Sequence, residues 1–237
     1  MATPTHAATA LSLPGACGPP LPTPSHGPGG TFSITCAARI AATPDACLDV
    51  IVSASEYPKW NRFIRKCVID STAAADGAKL RLHTPFTFHV WLDPSAPDGA
   101  PASATSALEV SVLERIDDDG AASPPPGFPS LPRARAPLAE PRRGWRIAWR
   151  PRSSWRNAPL WLLRSERVQE LVEVDGGRAT QYYCWETFYG PLAPLVRRLT
   201  GRQVERGFDA WMEGLRGMVE GAGEGAGAGA GAGASTA

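Results

Sequence analysis

This chain of 237 residues contains little lysine, little histidine and no long apolar run. The chain has three lysines, 21 arginines and 23 acidic residues. The resulting formal net charge of +1 argues against a general binder of nucleic acid. No stretch approaches the roughly 18 apolar residues of a membrane-spanning helix. The N-terminus lacks the basic and apolar regions of a secretory signal, so we expect a cytoplasmic protein.

The cysteines exclude two further classes. There are five of them, an odd number, with no CxxC pair and no histidine at metal-ligand spacing: Cys17, Cys36, Cys47, Cys67 and Cys184. This pattern indicates neither a disulfide framework nor a zinc site. We expect small buried side chains in a reducing compartment, and the sequence predicts no metal and no cofactor.

Catalytic motifs are also missing. The sequence has no nucleophile elbow, no HExxH and no glycine-rich phosphate loop between a strand and a helix. Glu166, Glu170 and Glu186 are candidates for acid–base chemistry, but Glu186 is expected to pair with Arg167. We therefore predict no catalytic residue, and an enzyme is the less favoured interpretation.

Composition divides the chain into three parts. Residues 1–30 are rich in proline and glycine, and residues 221–237 are a glycine–alanine run; both are expected to be disordered, because neither can bury much apolar surface. Residues 31–220 are predicted to form one domain. Within it, the proline-rich segment 117–142 interrupts the pattern and is predicted to be an insertion between two strands.

The first elements of the domain have clear local signals. Residues 31–40 alternate apolar and polar side chains, as a half-buried strand does. Thr43 and Pro44 then favour a helix start, and Tyr57-Pro58 favours its end. Trp60 and Phe63 are predicted to follow on a second short helix.

Antiparallel strands and one long helix are predicted for the remainder. Strands are expected over 63–70, 80–92 with a break at Pro85, 108–112, 145–149, 160–174 and 179–189. Gly176-Gly177 predicts a tight hairpin between the last two, with Arg167 opposite Glu186 in an ion pair and Val168 opposite Trp185. Apolar residues at helical spacing predict an amphipathic helix over about 190–220.

These features together resemble a known superfamily. The elbow Tyr57-Pro58-Lys59-Trp60-Asn61, the hairpin around Asp175-Gly176-Gly177-Arg178 and the run Trp185 to Ala193 are similar to START-like helix-grip (SRPBCC) proteins, which include polyketide cyclase/dehydrase and lipid-transport relatives. The resemblance spans about 31–220 and implies an α+β fold, in which a curved antiparallel sheet wraps the C-terminal helix. Leu48, where relatives often carry tryptophan, and the long insertion depart from the pattern.

The resemblance also implies a cavity between sheet and helix. Its expected lining is Trp60, Phe86, Phe88, Trp149, Tyr183, Trp185, Phe208, Trp211 and Met212. The main functional hypothesis is binding or transport of a hydrophobic small molecule, such as a lipid, quinone or polyketide-like compound. A polyketide cyclase or dehydratase using the same cavity is the alternative, and a chaperone-cofactor domain is a third option. The 117–142 insertion is expected to cover part of the cavity mouth.

Ten arginines lie between residues 133 and 167, with only Glu140 and Glu166 as acids. The simpler interpretation is a solvated basic face. The other is weak attraction to an anionic membrane surface or to a negatively charged ligand.

Overall fold

The computed structural model describes residues 12–70, 79–121, 125–129, 141–154 and 157–229. Within them, one antiparallel sheet has the strand order β1-β2-β8-β7-β6-β5-β4-β3. The strands are β1 (Leu13–Gly18), β2 (Phe32–Ile40), β3 (Ile64–Ile69), β4 (Pro85–Val90), β5 (Ala104–Ala121), β6 (Pro141–Pro151), β7 (Arg164–Val174) and β8 (Ala179–Tyr189). The helices are α1 (Pro44–Val52), α2 (Tyr57–Trp60), joined to α1 by a 3₁₀ turn, and α3 (Ala193–Gly229). This arrangement confirms the predicted helix-grip fold.

The signals at the starts of α1 and β4 act as expected. The prediction for Tyr57-Pro58 is wrong, because α1 already ends at Val52 and Tyr57-Pro58 begins α2, which ends before Phe63. The Thr43 hydroxyl caps α1 by accepting a hydrogen bond from the amide of Ala46 at 3.3 Å, and Pro44 is the first helical residue. The Tyr57 hydroxyl donates to the carbonyl of Ile51 at 2.7 Å, which fixes the elbow between α1 and α2. Strand β4 begins at Pro85, where a proline needs no ladder hydrogen bond.

The predicted register of the last hairpin is confirmed. Arg167 lies opposite Glu186 and Val168 opposite Trp185. The turn has positive φ angles at Asp175, Gly176 and Gly177, so the glycines occupy positions that other residues adopt with difficulty.

The N-terminal prediction is wrong for residues 12–30. Strand β1 pairs with β2, and its amides reach α3: Gly15 donates to Asp209 Oδ1 at 2.6 Å and Cys17 to Glu205 Oε1 at 2.8 Å. Residues 12–30 are held mainly by hydrogen bonds of their backbone. Because such bonds need no apolar side chains, the sequence shows no apolar periodicity there. Residues 1–11 lie outside the described part of the chain.

The C-terminal boundary also differs from the prediction. Helix α3 was expected to end near Glu220 and runs to Gly229, and residues 230–237 lie outside the described part. Extending an existing helix costs far less than starting one, which is how the last turns continue through a glycine-rich sequence.

The predicted insertion, residues 117–142, belongs to two strands at both of its ends. Residues 117–121 extend β5, and 141–142 belong to β6. Phe128 packs on the face of the sheet opposite α3, with its ring centroid 5.1 Å from Tyr183 and 6.3 Å from Trp185. The described part of the insertion, residues 125–129, therefore covers the outer face of the sheet instead of a cavity mouth.

The sheet consequently has apolar clusters on both faces. The larger one lies between the sheet and α3. The outer cluster joins the N-terminal segment and the insertion to the strands through Leu21, Ala37, Ile116, Phe128, Ala148, Val168, Val172, Tyr183 and Trp185.

The outer cluster predicts that the protein loses stability when Leu21, its contact from the N-terminal segment, is truncated. Leu21 is only 5% exposed, so Leu21→Ala should lower the free energy of unfolding by about 2 kcal/mol, at the low end for a buried leucine because the segment can relax. Leu82→Ala is the control, since Leu82 is 47% exposed. Urea denaturation of both variants measures the difference; equal stabilities would show that Leu21 does not pack on the outer face of the sheet as described.

Candidate ligand site between the sheet and helix α3

Seven of the nine residues predicted to line a cavity lie together between the sheet and α3. All seven belong to the larger apolar cluster: Trp60, Phe86, Phe88, Trp149, Phe208, Trp211 and Met212. Their rings contact one another at angles, with centroids 5.1 Å apart for Trp60 and Trp211, and 5.8 Å apart for Trp149 and Trp211. Such edge-to-face contacts stabilise an aromatic core beyond simple burial.

Tyr183 and Trp185 do not belong to this set, and their assignment to the cavity was wrong. Side chains alternate along β8, so Tyr182, Cys184 and Phe188 join the cluster under α3 while Tyr183 and Trp185 point to the outer face. The Trp185 indole donates to the carbonyl of Pro22 at 3.1 Å.

Arg167 on β7 is the functional candidate that sequence reasoning missed. Its side chain is buried under α3, with the guanidinium carbon 4.1 Å from the ring centroid of Phe208 and 4.6 Å from that of Trp211. Nε donates to Cys184 Sγ at 3.3 Å. The expected ion pair with Glu186 is not found among the described residues, although the two are opposite in register; Glu186 accepts from Ser165 instead.

The groups around Arg167 keep its guanidinium protonated. Burial alone would lower its pKa, but attraction to Cys184, Tyr182 and Glu186 outweighs burial and raises the pKa above its usual value. Burial raises the pKa of Glu186, and the charge of Arg167 opposes that rise. The interior therefore contains a permanent cation beneath the helix.

Cys184 is the nearest counter-charge. Burial would raise the pKa of its thiol, but hydrogen bonding from Cys36, the charge of Arg167 and hydrogen bonding from Tyr182 together lower it to about 7. The guanidinium thus favours the thiolate form of Cys184.

Several buried donors in this region lack hydrogen-bond partners among the described residues. They are Arg167 Nη2, Gln169 Nε2, Trp211 Nε1 and Trp60 Nε1. Gln169 accepts from the Tyr182 hydroxyl at 2.7 Å through its oxygen, which leaves the amide nitrogen unused. An unpaired buried donor costs about 1–3 kcal/mol, so this part of the interior favours an incoming acceptor.

A pocket of about 600 Å³ opens at the elbow. It is lined by Pro58, Lys59, Trp60, Arg62, Arg65, Trp91, Asp98, Gly99 and Ala100. Trp60 lines this pocket and also contacts Trp211 in the interior. The elbow therefore joins the surface to the aromatic cluster through one side chain.

Many arginines of the 133–167 segment pair with acids on neighbouring strands. The pairs are Arg142 with Glu170, Arg143 with Asp117, Arg146 with Glu114 and Glu170, Arg150 with Glu109, and Arg152 with Asp70. This pairing reduces the local positive charge, and the predicted attraction to membranes gains no support from it.

In the part of the chain described here, no helix combines the length and apolar character needed to cross a bilayer. No three His, Cys, Asp or Glu side chains of these same ranges are grouped so as to hold a metal ion.

Comparisons with known proteins agree with this architecture. No protein-family model matches the chain. Oxopyrrolidines biosynthesis cluster protein O of Penicillium oxalicum is 28% identical over 192 residues, covering 77% of this chain and 83% of that protein. The solved structure of hypothetical protein jhp0584 from Helicobacter pylori is 15% identical and has a TM-score of 0.51, covering 78% of this chain and 86% of that one.

A START superfamily protein from Mycobacterium smegmatis is also similar, with 15% identity and a TM-score of 0.46, covering 80% of this chain and 98% of that one. Likeness at these identities concerns the fold alone. The two short helices after β2, the antiparallel strands that follow and the long C-terminal helix are those that the sequence predicted. The chain therefore has a helix-grip fold.

Proposed function

We propose that this protein binds a small hydrophobic molecule carrying hydrogen-bond acceptors, in the space between the sheet and α3. The observation that carries the proposal is the set of buried, unpaired donors around Arg167, set among aromatic rings. Ligand sites commonly combine apolar walls with a few convergent polar groups. The rings of Phe208, Trp211 and Trp149 would contact the apolar body, and Arg167 Nη2 and Gln169 Nε2 would bind its oxygens.

The name of the Penicillium relative supports this ligand class. That protein is named for a biosynthesis cluster of oxopyrrolidines. An oxopyrrolidine is a small ring with a carbonyl oxygen, which is an acceptor of the kind that the unpaired donors would bind. We infer that a carbonyl-bearing biosynthetic compound is a suitable ligand for this chain as well.

The contact between Cys184 and Arg167 favours a second candidate, an enzyme that uses the same space. A thiolate is a nucleophile, and a buried guanidinium stabilises developing negative charge on oxygen. Cys184→Ala tests the second candidate: a protein that only binds the ligand has no turnover to lose, whereas an enzyme of this kind loses turnover while binding persists.

Binding can be tested with two probes of similar shape and different charge. Anilinonaphthalene sulfonate is anionic and N-phenyl-1-naphthylamine is neutral; both should quench tryptophan fluorescence of the full chain. Arg167→Met keeps most of the side-chain volume and removes the charge. We expect it to weaken the anionic probe about tenfold, equivalent to about 1.4 kcal/mol, and to leave the neutral probe within about twofold.

Arg178→Met is the matched control, because Arg178 lies exposed in the turn of the same hairpin. It should change neither affinity. If the folded wild-type protein bound neither probe, or if both arginine variants behaved alike, the site would not be the one proposed. Native mass spectrometry of the purified protein would in addition reveal a co-purified hydrophobic molecule.

A further inference from the structure

Cys36 and Cys184 face each other across two neighbouring strands. They are direct partners in the β2–β8 ladder, and both belong to the cluster under α3. Directly opposed residues of an antiparallel pair have Cα atoms about 4.5 or 5.5 Å apart. A disulfide requires Cα atoms roughly 4.4–6.8 Å apart, so the expected Cα separation of this pair suits a disulfide.

The surroundings activate one of the two thiols. Arg167 Nε donates to Cys184 Sγ at 3.3 Å, and hydrogen bonding from Cys36 also favours the Cys184 thiolate. The pKa of Cys36, by contrast, is raised by burial, so Cys36 retains its proton. The charged and titratable groups that act on the pair are Arg167 on β7, Tyr182 on β8 and Asp209 on α3. Glu186 on β8 acts in turn on Arg167.

We propose that Cys36 and Cys184 are a redox-active dithiol, which a peroxide converts to a disulfide, and that this modification changes the charge of ligand that the site accepts. The second half of the proposal rests on the proposed ligand site. In the reduced protein the Cys184 thiolate neutralises Arg167 and repels an anionic ligand. In the disulfide form Arg167 loses this counter-charge and is free to pair with an anion.

The reaction balances with one peroxide. The Cys184 thiolate attacks a peroxide oxygen, the O–O bond breaks, and the departing hydroxide takes up a proton as water, leaving a sulfenic acid on Cys184. Cys36 sulfur then attacks the Cys184 sulfur, the S–O bond breaks, and the Cys36 proton leaves with the hydroxide as a second water. Two thiols are oxidised to one disulfide and one peroxide is reduced to two waters.

The disulfide can be located in a Cys17→Ser variant of the full chain, in which every remaining cysteine lies in its own tryptic peptide. Cys36 is in 1–39, Cys47 in 40–59, Cys67 in 67–79 and Cys184 in 179–197. The folded protein is treated with hydrogen peroxide, quenched in acid, denatured with N-ethylmaleimide and digested. We expect a linked 1–39/179–197 pair, whereas Cys47 and Cys67 are recovered as maleimide adducts.

The proposal would be overturned if Cys36 and Cys184 were recovered as maleimide adducts under conditions in which peroxide had oxidised the half-exposed Cys67. Because this measurement needs no ligand, it is independent of the proposed function. A Cys36→Ser variant tests the assignment again, since it must lose the linked pair and leave Cys184 as a sulfenic acid or a higher oxide.

The effect on ligand charge is measured with the same two probes. At pH 8, oxidation of the Cys17→Ser protein should tighten the anionic probe about threefold or more and leave the neutral probe nearly unchanged, because a like charge has been removed next to Arg167. Reduction of the linked pair with dithiothreitol should reverse this gain. A linked pair without any change in probe preference would refute the regulatory half. Failure of the reduced protein to bind either probe would instead count against the proposed ligand site.

Discussion

Replacing Trp211 with alanine is expected to lower the free energy of unfolding by about 3–5 kcal/mol, as the loss of a fully buried tryptophan does. The indole of Trp211 contacts the rings of Tyr57, Trp60 and Trp149 edge-on. It also covers the Arg167 guanidinium at 4.6 Å. The substitution therefore leaves a cavity at the centre of the helix–sheet contact and uncovers a buried cation.

Trp161→Ala is the matched control for this measurement. Trp161 is 70% exposed, so its removal should change stability by no more than about 0.5 kcal/mol. Guanidinium denaturation, followed by circular dichroism because both changes alter tryptophan fluorescence, gives the two values. If Trp211→Ala were as stable as Trp161→Ala, α3 would not pack on the sheet as described.

The second large effect is expected from one added methyl group on α3. A Cβ at Gly214 would overlap the backbone carbonyl oxygen of Trp60, and a backbone atom cannot rotate away. Gly214→Ala should therefore push α3 away from α2 and cost about 1–3 kcal/mol or more, despite the better helix propensity of alanine.

Gly217→Ala on the same helix should have the opposite sign. A Cβ at Gly217 meets nothing within 4 Å, so only helix propensity changes, and the variant should gain up to about 1 kcal/mol. Thermal or urea unfolding measures the stability of both variants against the wild-type protein. Two stabilised proteins would show that α3 and α2 do not approach each other at Gly214.

The order of the elements could be predicted because each has a strong local signal. Thr43-Pro44 begins α1, Pro85 begins β4, and the glycines of 175–178 set the register that places Arg167 opposite Glu186. Six of the predicted aromatic positions and Met212 lie in one cluster, and helical spacing identified the three of them that α3 buries.

The remaining features depend on contacts that the sequence does not display. Tyr183 and Trp185 were assigned to the wrong face because β8 is apolar on both sides, and an alternating pattern cannot identify the inner face when both are covered. Leu21 and Phe128, which cover the outer side, belong to segments with no periodicity. Arg167 was assigned to an ion pair because an arginine opposite a glutamate usually forms one; the aromatic rings that bury it come from α3 and β6.

The contacts between β1 and α3 have a consequence for how this protein behaves at high concentration. An edge strand with free amide groups is a template on which another chain can add a strand and begin aggregation. At this edge, Asp209 and Glu205 accept the amides of Gly15 and Cys17, so two of the groups that an incoming strand would need are already occupied. The helix that the sheet surrounds thus also protects the sheet's outermost strand from unwanted pairing.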